Sequence, residues 1–78
     1  MKLPRGISGD RLVRVLQDLG YALVRQKGSH VRLTHPGPPQ AHVVVPMHRE
    51  LKVGTLHSIL QTISEQTGLS LHDLVDML

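Results

Sequence analysis

The spacing of apolar residues along the chain changes from a helical period to an alternating one and then back. Between residues 9 and 19 the apolar side chains recur at helical spacing, at Leu12, Val13, Leu16 and Leu19. Ser8 precedes this run and is a favourable N-cap, whereas Gly20 follows it and suits a left-handed C-terminal cap. The pattern therefore predicts a first helix over about residues 9–19.

The segments after this helix are typical of strands. Residues 21–25 and 30–34 are short and rich in strand-forming residues, and residues 26–29 separate them, which predicts a β-hairpin. Residues 36–39 contain three prolines, which a central strand does not tolerate, so we expect an exposed loop there. Residues 42–45 form the third predicted strand, which Pro46 ends.

Helical spacing returns from Val53 onwards. This second predicted helix ends by Gly68, and its apolar positions are Leu56, Ile59, Leu60 and Ile63. Ser70 and Asp73 then form the pattern of a capping box for a short last helix. Three consecutive strands with helices on one face predict the α+β class, a two-layer α-β-β-β-α domain with a short C-terminal helix and a three-stranded antiparallel sheet. We expect residues 1–78 to form a single domain.

Composition excludes several kinds of site. The chain has no Cys, Trp or Phe, and Tyr21 is its one residue of the Phe, Trp and Tyr class. It therefore has no disulfide, no thiolate zinc site and no aromatic platform for stacking bases. No segment has the apolar length of a signal peptide or a membrane span. We expect a cytoplasmic protein that does not bind membranes.

Charge is unevenly distributed along the chain. Residues 1–35 hold seven Lys and Arg against two Asp, whereas the rest holds two Lys and Arg against four acids. A basic face on so small a domain is typical of a protein with a polyanionic partner. An imbalance of this size is also common on an ordinary solvated surface, so charge alone leaves both interpretations open.

Side-chain alternation places a histidine among these cations. In the second predicted strand His30 and Arg32 share one face, because successive residues of a strand point to opposite faces. We expect the helices to cover the other face, so that His30 lies on the open face within reach of Arg25 and Lys27. A histidine beside fixed cations can take the proton of a ribose 2′-hydroxyl, without a metal, while the cations stabilise charge on the phosphate. An isolated strand histidine is, however, more often a surface or capping residue.

A second candidate site precedes the second predicted helix. Lys52, Gly54 and Thr55 lie at its N-terminus, where free backbone N–H groups and the helix dipole favour a phosphate. Alternatively, Thr55 caps the helix and Lys52 is solvated. Gly28 and Ser29 are likewise either part of an RNA site or the residues that a tight hairpin turn needs.

Several short motifs in fixed order resemble the HicA family of toxins. They are Gly28-Ser29-His30, Thr34-His35-Pro36, Val45-Pro46-Met47-His48, Glu50-Leu51-Lys52, Gly54-Thr55-Leu56 and Ser58-Ile59-Leu60. The resemblance spans almost the whole chain. It implies a fold similar to a double-stranded-RNA-binding domain, an mRNA interferase activity and a HicB antitoxin partner. It also implies that His30, in the Gly-Ser-His motif, is the catalytic residue, and that His35 and His48 either shape the loop around the site or serve loop structure alone.

Three functions from different classes fit these observations: a metal-independent endoribonuclease toxin that cleaves mRNA and inhibits translation, a noncatalytic RNA-binding module, and an adaptor whose basic face meets an acidic protein.

The residues expected to contact RNA are Arg25, Lys27, Gly28, Ser29, Arg32, Lys52 and Thr55. We expect the four cations among them to form one continuous surface. No histidines have the spacing of a zinc site, so we expect no metal or other cofactor. We expect no direct DNA binding, because no helix-turn-helix pair with a basic recognition helix is present.

Overall fold

The computed structural model of the chain describes residues 2–78. Its helices and strands follow the predicted order. They are α1 Gly9–Asp18, β1 Ala22–Lys27, β2 His30–His35, β3 Ala41–Pro46, α2 Val53–Thr67 and α3 Leu71–Met77. Within the described range, none of the helices has the length and apolar character needed to cross a membrane.

Local capping determines where the helices begin and end. The Oγ of Ser8 accepts a hydrogen bond from the backbone N–H of Arg11 at 3.1 Å, and the Oγ of Ser70 accepts one from the N–H of Asp73 at 3.0 Å. Each bond satisfies a backbone donor that the first turn of a helix leaves without a partner. Gly68 follows α2 with a left-handed φ of 79°. These three boundaries confirm the predictions from sequence.

The β1–β2 hairpin is longer and tighter than expected. β1 continues to Lys27, which pairs with His30, so that only Gly28 and Ser29 remain in the turn. Gly28 has a φ of 58°, a left-handed conformation that glycine adopts readily and that suits a two-residue hairpin turn. The predicted end of β1 at Arg25 is therefore two residues short.

The sheet has the order β1-β2-β3, and both neighbouring pairs are antiparallel. A β-bulge interrupts β1 between Leu23 and Arg25. A bulge of this kind adds one residue to one strand and bends it locally. Beyond the bulge, Arg25 pairs with Arg32, which in turn pairs with Val44 on the third strand.

One face of the sheet forms the core with the helices. Its buried residues in β2 and β3 alternate with exposed neighbours and are Val31, Leu33, Val43 and Val45. The helices contribute Leu12, Leu16, Leu56, Leu60, Ile63 and Leu74 to the same cluster. The opposite face carries His30, Arg32 and Val44, all exposed. The two-layer α+β prediction is therefore confirmed, with one face of the sheet open to solvent.

Candidate functional site

A shallow depression of about 210 Å³ lies on the open face of the sheet, next to the β1–β2 turn. We call it the hairpin depression, and its lining residues are Arg25, Lys27, His30, Arg32 and Val44. Pairing within the sheet explains why they meet. Lys27 lies opposite His30, and Arg32 lies between Arg25 on one neighbouring strand and Val44 on the other.

The hairpin depression concentrates positive charge. Arg25 and Arg32 are cross-strand partners, although like charges directly opposite each other destabilise a sheet. Lys27 adds a third cation beside His30, and no carboxylate is found among the described residues that line the depression. Such a cluster attracts anions strongly, and an anion bound among the cations would relieve their mutual repulsion.

Backbone contacts from two other elements hold the histidine end of β2. His30 pairs with Pro46, the last residue of β3, and the next residue, Met47, donates its N–H to the carbonyl of Ser29 at 2.5 Å. The N–H of Gly9, at the start of α1, donates to the carbonyl of His48 at 2.9 Å. The turn that carries His30 is therefore attached through residues 46–48 to the first helix.

Gly9 makes this attachment close. A Cβ atom at this position would come within 2.4 Å of the Pro46 carbonyl oxygen and 2.9 Å of the Met47 Cα. Both of these are backbone atoms, so a larger residue could be accommodated only if α1 or residues 46 and 47 moved. Gly9 is also buried. It therefore sets how near α1 lies to the strand end that pairs with His30.

The second predicted site lies outside the hairpin depression. Lys52 is the N-cap residue of α2 and lines a different depression with Arg5 and Glu50. Thr55 is half-buried in the first turn of α2, so it is not the residue that caps this helix. The structure thus brings together three of the four predicted cations. A continuous surface that includes Lys52 stays a prediction.

The remaining predicted site residues form the turn itself. Gly28 and Ser29 are exposed between β1 and β2, next to His30. A Cβ at Gly28 would meet no atom within 4 Å, so its left-handed φ is the feature that favours glycine there. Turn geometry is therefore sufficient to explain Gly28, and its predicted contact with RNA remains a prediction.

The other histidines are distributed around the molecule. His42 is exposed on the open face, at the opposite end of β3 from Pro46, and His72 lies 3.4 Å from Asp76 on the surface of α3. His35 is half-buried, and its Nδ1 accepts the N–H of Gly37 at 3.0 Å. Across residues 2–78, no three His, Asp or Glu side chains come together in a group that would hold a metal ion.

Sequence reasoning missed two of the residues that build this site. The alternation in Val43-Val44-Val45 indicates that the side chain of Val44 faces away from those of its two neighbours, but the strand pattern alone gives it no role in a site. The sequence pattern gives Gly9 no role beyond its place at the start of the first predicted helix. No local signal reveals its contact with Pro46, because that contact joins residues far apart in sequence.

Comparison with known proteins identifies the family. A search of curated proteins found no significant match to this chain. A family model described as the HicA toxin of bacterial toxin-antitoxin systems matches residues 9–69. The matched segment runs from the start of α1 to just beyond α2, so it contains the complete sheet and the hairpin depression. The order of helices and strands is also consistent with a fold like that of a double-stranded-RNA-binding domain. The chain therefore belongs to the HicA family of toxins of bacterial toxin-antitoxin systems.

Proposed function

We propose that this HicA-family toxin is an endoribonuclease that cleaves mRNA and thereby inhibits translation, with His30 as its catalytic residue. The observation that carries the proposal is the hairpin depression, in which an exposed imidazole lies among three cations. Cations placed opposite one another at a cost in stability are typical of a site that binds an anion. The phosphodiester of RNA is an anion with a nucleophilic hydroxyl next to it.

His30 acts as the general base in this proposal. Its unprotonated ring nitrogen takes the proton of a ribose 2′-hydroxyl, and the 2′-oxygen forms a bond to the adjacent phosphorus. The bond between phosphorus and the 5′-oxygen of the next nucleotide breaks, and that oxygen takes up a proton from water. The products are a 2′,3′-cyclic phosphate and a 5′-hydroxyl, and the imidazolium returns its proton to solvent.

The three cations bind the phosphate and stabilise the charge that develops on it. Arg25 and Arg32 carry planar guanidinium groups, which suit the nonbridging oxygens of a phosphate, whereas Lys27 supplies a more compact charge beside His30. The site is shallow and exposed, so long-range attraction and backbone contacts dominate binding. Gly28, Ser29, Lys52 and Thr55 extend these contacts in the proposal.

The family places the chain in a toxin-antitoxin pair, and we propose a HicB-like protein as the antitoxin. In this proposal, the protein meets both mRNA and the antitoxin in the cytoplasm. An antitoxin that covers the hairpin depression would exclude RNA from His30 directly. No cofactor takes part in the proposed reaction.

Replacement of His30 with alanine tests the proposal. His30→Ala is expected to lower the cleavage rate about 10²- to 10⁴-fold, the usual contribution of a general base. His42→Ala is the matched control, because His42 is an exposed histidine on the same open face that does not line the hairpin depression. RNA binding should survive in both variants. Growth inhibition should be lost only with His30.

Two results would contradict the catalytic assignment. Wild-type cleavage by His30→Ala would show that His30 is structural or irrelevant, and RNA binding without cleavage by the wild-type protein would favour the noncatalytic RNA-binding module. Cleavage assays in excess chelator belong in the same experiment. Persisting activity with a 2′,3′-cyclic phosphate product supports attack by the 2′-hydroxyl, whereas strict metal dependence would require a different mechanism.

A further inference from the structure

Val44 is the one apolar residue among the described residues that line the hairpin depression. It is the middle residue of three consecutive valines in β3. Val43 and Val45 are 5% and 0% exposed, whereas Val44 remains 45% exposed on the open face. A strand with one solvated face normally carries polar side chains there. Val44 departs from that pattern at a position directly opposite Arg32.

We propose that Val44 packs against the face of the nucleobase next to the phosphate held by the three cations. This inference rests on the proposed function and adds a contact surface for the base to it. A valine side chain offers apolar contact but has no hydrogen-bond donor or acceptor. Base identity is read by hydrogen bonds to base edges, whereas contact with the base face is available to every nucleotide. Val44 therefore contributes affinity without selecting a base.

The location of Val44 also suits this contact geometrically. His30 and Arg32 lie on the strand next to it, so the phosphate and the reacting hydroxyl are held over β2 while Val44 lies one strand away. Neighbouring strands are separated by about 4.8 Å, a distance that a nucleotide spans between its phosphate and its base. The chain has no Phe or Trp, and its one Tyr, Tyr21, is buried, so none of these three aromatic residue types is available to stack on the base.

The test compares Val44→Thr with Val24→Thr. Threonine keeps the β-branched shape and strand preference of valine and replaces one methyl group with a hydroxyl. Val24 is a matched control, because it is 55% exposed in β1 and does not line the hairpin depression. Both changes are made in the His30→Ala protein so that RNA stays intact. Binding of eight-nucleotide oligomers of adenosine, cytidine and uridine is measured by fluorescence anisotropy.

Val44→Thr is expected to raise the dissociation constant about three- to tenfold for all three oligomers, in keeping with the loss of about half of a valine's burial. Val24→Thr is expected to leave all three dissociation constants unchanged. Thermal unfolding of both variants should match that of the parent protein, since both positions are exposed.

Three outcomes would overturn the inference. They are unchanged binding in Val44→Thr, an equal loss in Val24→Thr, and a loss confined to one base. The proposed function is judged separately, by comparing cleavage of the wild-type protein with that of His30→Ala. If cleavage requires His30 while Val44→Thr binds normally, only the role of Val44 is wrong. If the His30→Ala protein binds none of the oligomers, the role of Val44 is wrong, and the cleavage comparison still decides the proposed function.

Discussion

The two histidines at the ends of β2 occupy opposite kinds of surroundings. His30, the first residue of the strand, is exposed on the open face and lies opposite Lys27. His35, the last residue, is half-buried on the face that the helices cover. Its Nδ1 accepts the N–H of Gly37 at 3.0 Å, and its ring packs edge-on against Tyr21 with the ring centroids 5.1 Å apart. His30 therefore shares its depression with three cations, whereas His35 contacts the loop and the core of the fold.

Strand geometry produces this difference. The two histidines are five residues apart in β2, an odd separation, so their side chains project from opposite faces of the sheet. They are also separated by about 17 Å along the strand, at about 3.3 Å per residue. His35 therefore orders the proline-containing loop at the far end of the strand and does not shape the loop around His30. Both histidines belong to motifs that resemble the family, yet their faces and neighbours differ, so the motifs alone do not determine a histidine's surroundings.

The largest expected effect separates the two histidines by activity. His30→Ala should lower RNA cleavage about 10²- to 10⁴-fold and change the free energy of unfolding by less than about 0.5 kcal/mol. His35→Ala should do the reverse, because it removes a hydrogen bond and an aromatic contact worth about 1–2 kcal/mol together. Its cleavage rate should stay within about twofold of wild type, a difference of about 0.4 kcal/mol in barrier. Single-turnover cleavage and urea unfolding measure the two quantities. Equal loss of activity in both variants would show that the comparison is wrong.

A smaller effect concerns the cations near His30. The triple change of Arg25, Lys27 and Arg32 to Gln should weaken RNA binding about 30-fold at low ionic strength, if each contact is worth about 0.7 kcal/mol. The slope of log affinity against log salt should fall by about 2, at about 0.7 per phosphate contact on single-stranded RNA. Arg11 and Arg14, which line a separate depression on α1, provide a matched double control.

The same titration decides the role of Lys52. If the cationic surface is continuous, Lys52→Gln should lower the slope by about a further 0.7 when it is added to the triple variant. An unchanged slope would confine the phosphate contacts to the hairpin depression. If the triple variant itself binds RNA as the wild type does, the anion-binding interpretation of the depression is wrong.

Two glycines allow each end of β2 to be disturbed without changing a histidine. A Cβ at Gly9 would collide with the backbone of residues 46 and 47, which hold the His30 end, whereas a Cβ at Gly20 would lie 3.1 Å from Nε2 of His35. Gly20 also has a φ of 97°, so alanine is strained there. Both alanine variants should lose about 1–3 kcal/mol of stability.

Their effects on catalysis should differ. Gly9→Ala is expected to lower the cleavage rate about tenfold or more, because a displacement near 1 Å at a catalytic group is costly. Gly20→Ala is expected to cleave RNA normally once the measurement is made at a temperature where both variants are folded. A loss of activity in Gly20→Ala equal to that in Gly9→Ala would mean that general destabilisation, and not the position of His30, controls the rate.

Features determined by local chemistry could be predicted from the sequence. The caps at Ser8, Ser70 and Gly68 involve atoms a few residues apart, and the structure has them as expected. The exposure of His30 followed from the alternation of Val31 and Leu33, because burial of those two residues determines both faces of β2.

Features that depend on pairing between strands could not be predicted. The bulge after Leu23 and the two-residue turn determine that Arg25 lies opposite Arg32, and neither is encoded in one segment alone. Val44 joins the site through its pairing with Arg32, and Gly9 supports it from a helix that precedes the whole sheet. The sequence therefore predicted that His30, Arg25, Lys27 and Arg32 lie together, but not the contributions of β3 and α1 to the hairpin depression.

The smallest expected effect is a pH dependence of folding stability that comes from Tyr21, the residue that packs against His35. Tyr21 is 3% exposed and its hydroxyl donates a hydrogen bond to Oε1 of Gln66 at 2.5 Å. Burial raises the pKa of Tyr21, so the folded protein holds the phenolic proton more tightly than the unfolded chain does. The stability that this group contributes is therefore complete below the ordinary tyrosine pKa of about 10 and is lost as the pH rises through the higher folded value.

The variant Tyr21→Phe tests this dependence on pH. Below a pH of about 10 it should be less stable than wild type by about 1 kcal/mol, the value of a typical hydrogen bond. As the pH rises through the folded pKa of Tyr21, the two unfolding free energies should converge. At such pH values the folded wild type must either bury a phenolate or keep a proton that the unfolded chain has lost, whereas Tyr21→Phe has no such group. Urea unfolding of both proteins between pH 7 and 11 measures this difference, and lysine titration cancels because both chains carry the same lysines. Parallel profiles of unfolding free energy against pH for the two proteins would show that the Tyr21 hydroxyl is not buried in the manner described. Convergence of the profiles, with unchanged RNA cleavage by Tyr21→Phe at pH 7, would place Tyr21 with His35 among the residues that stabilise the fold.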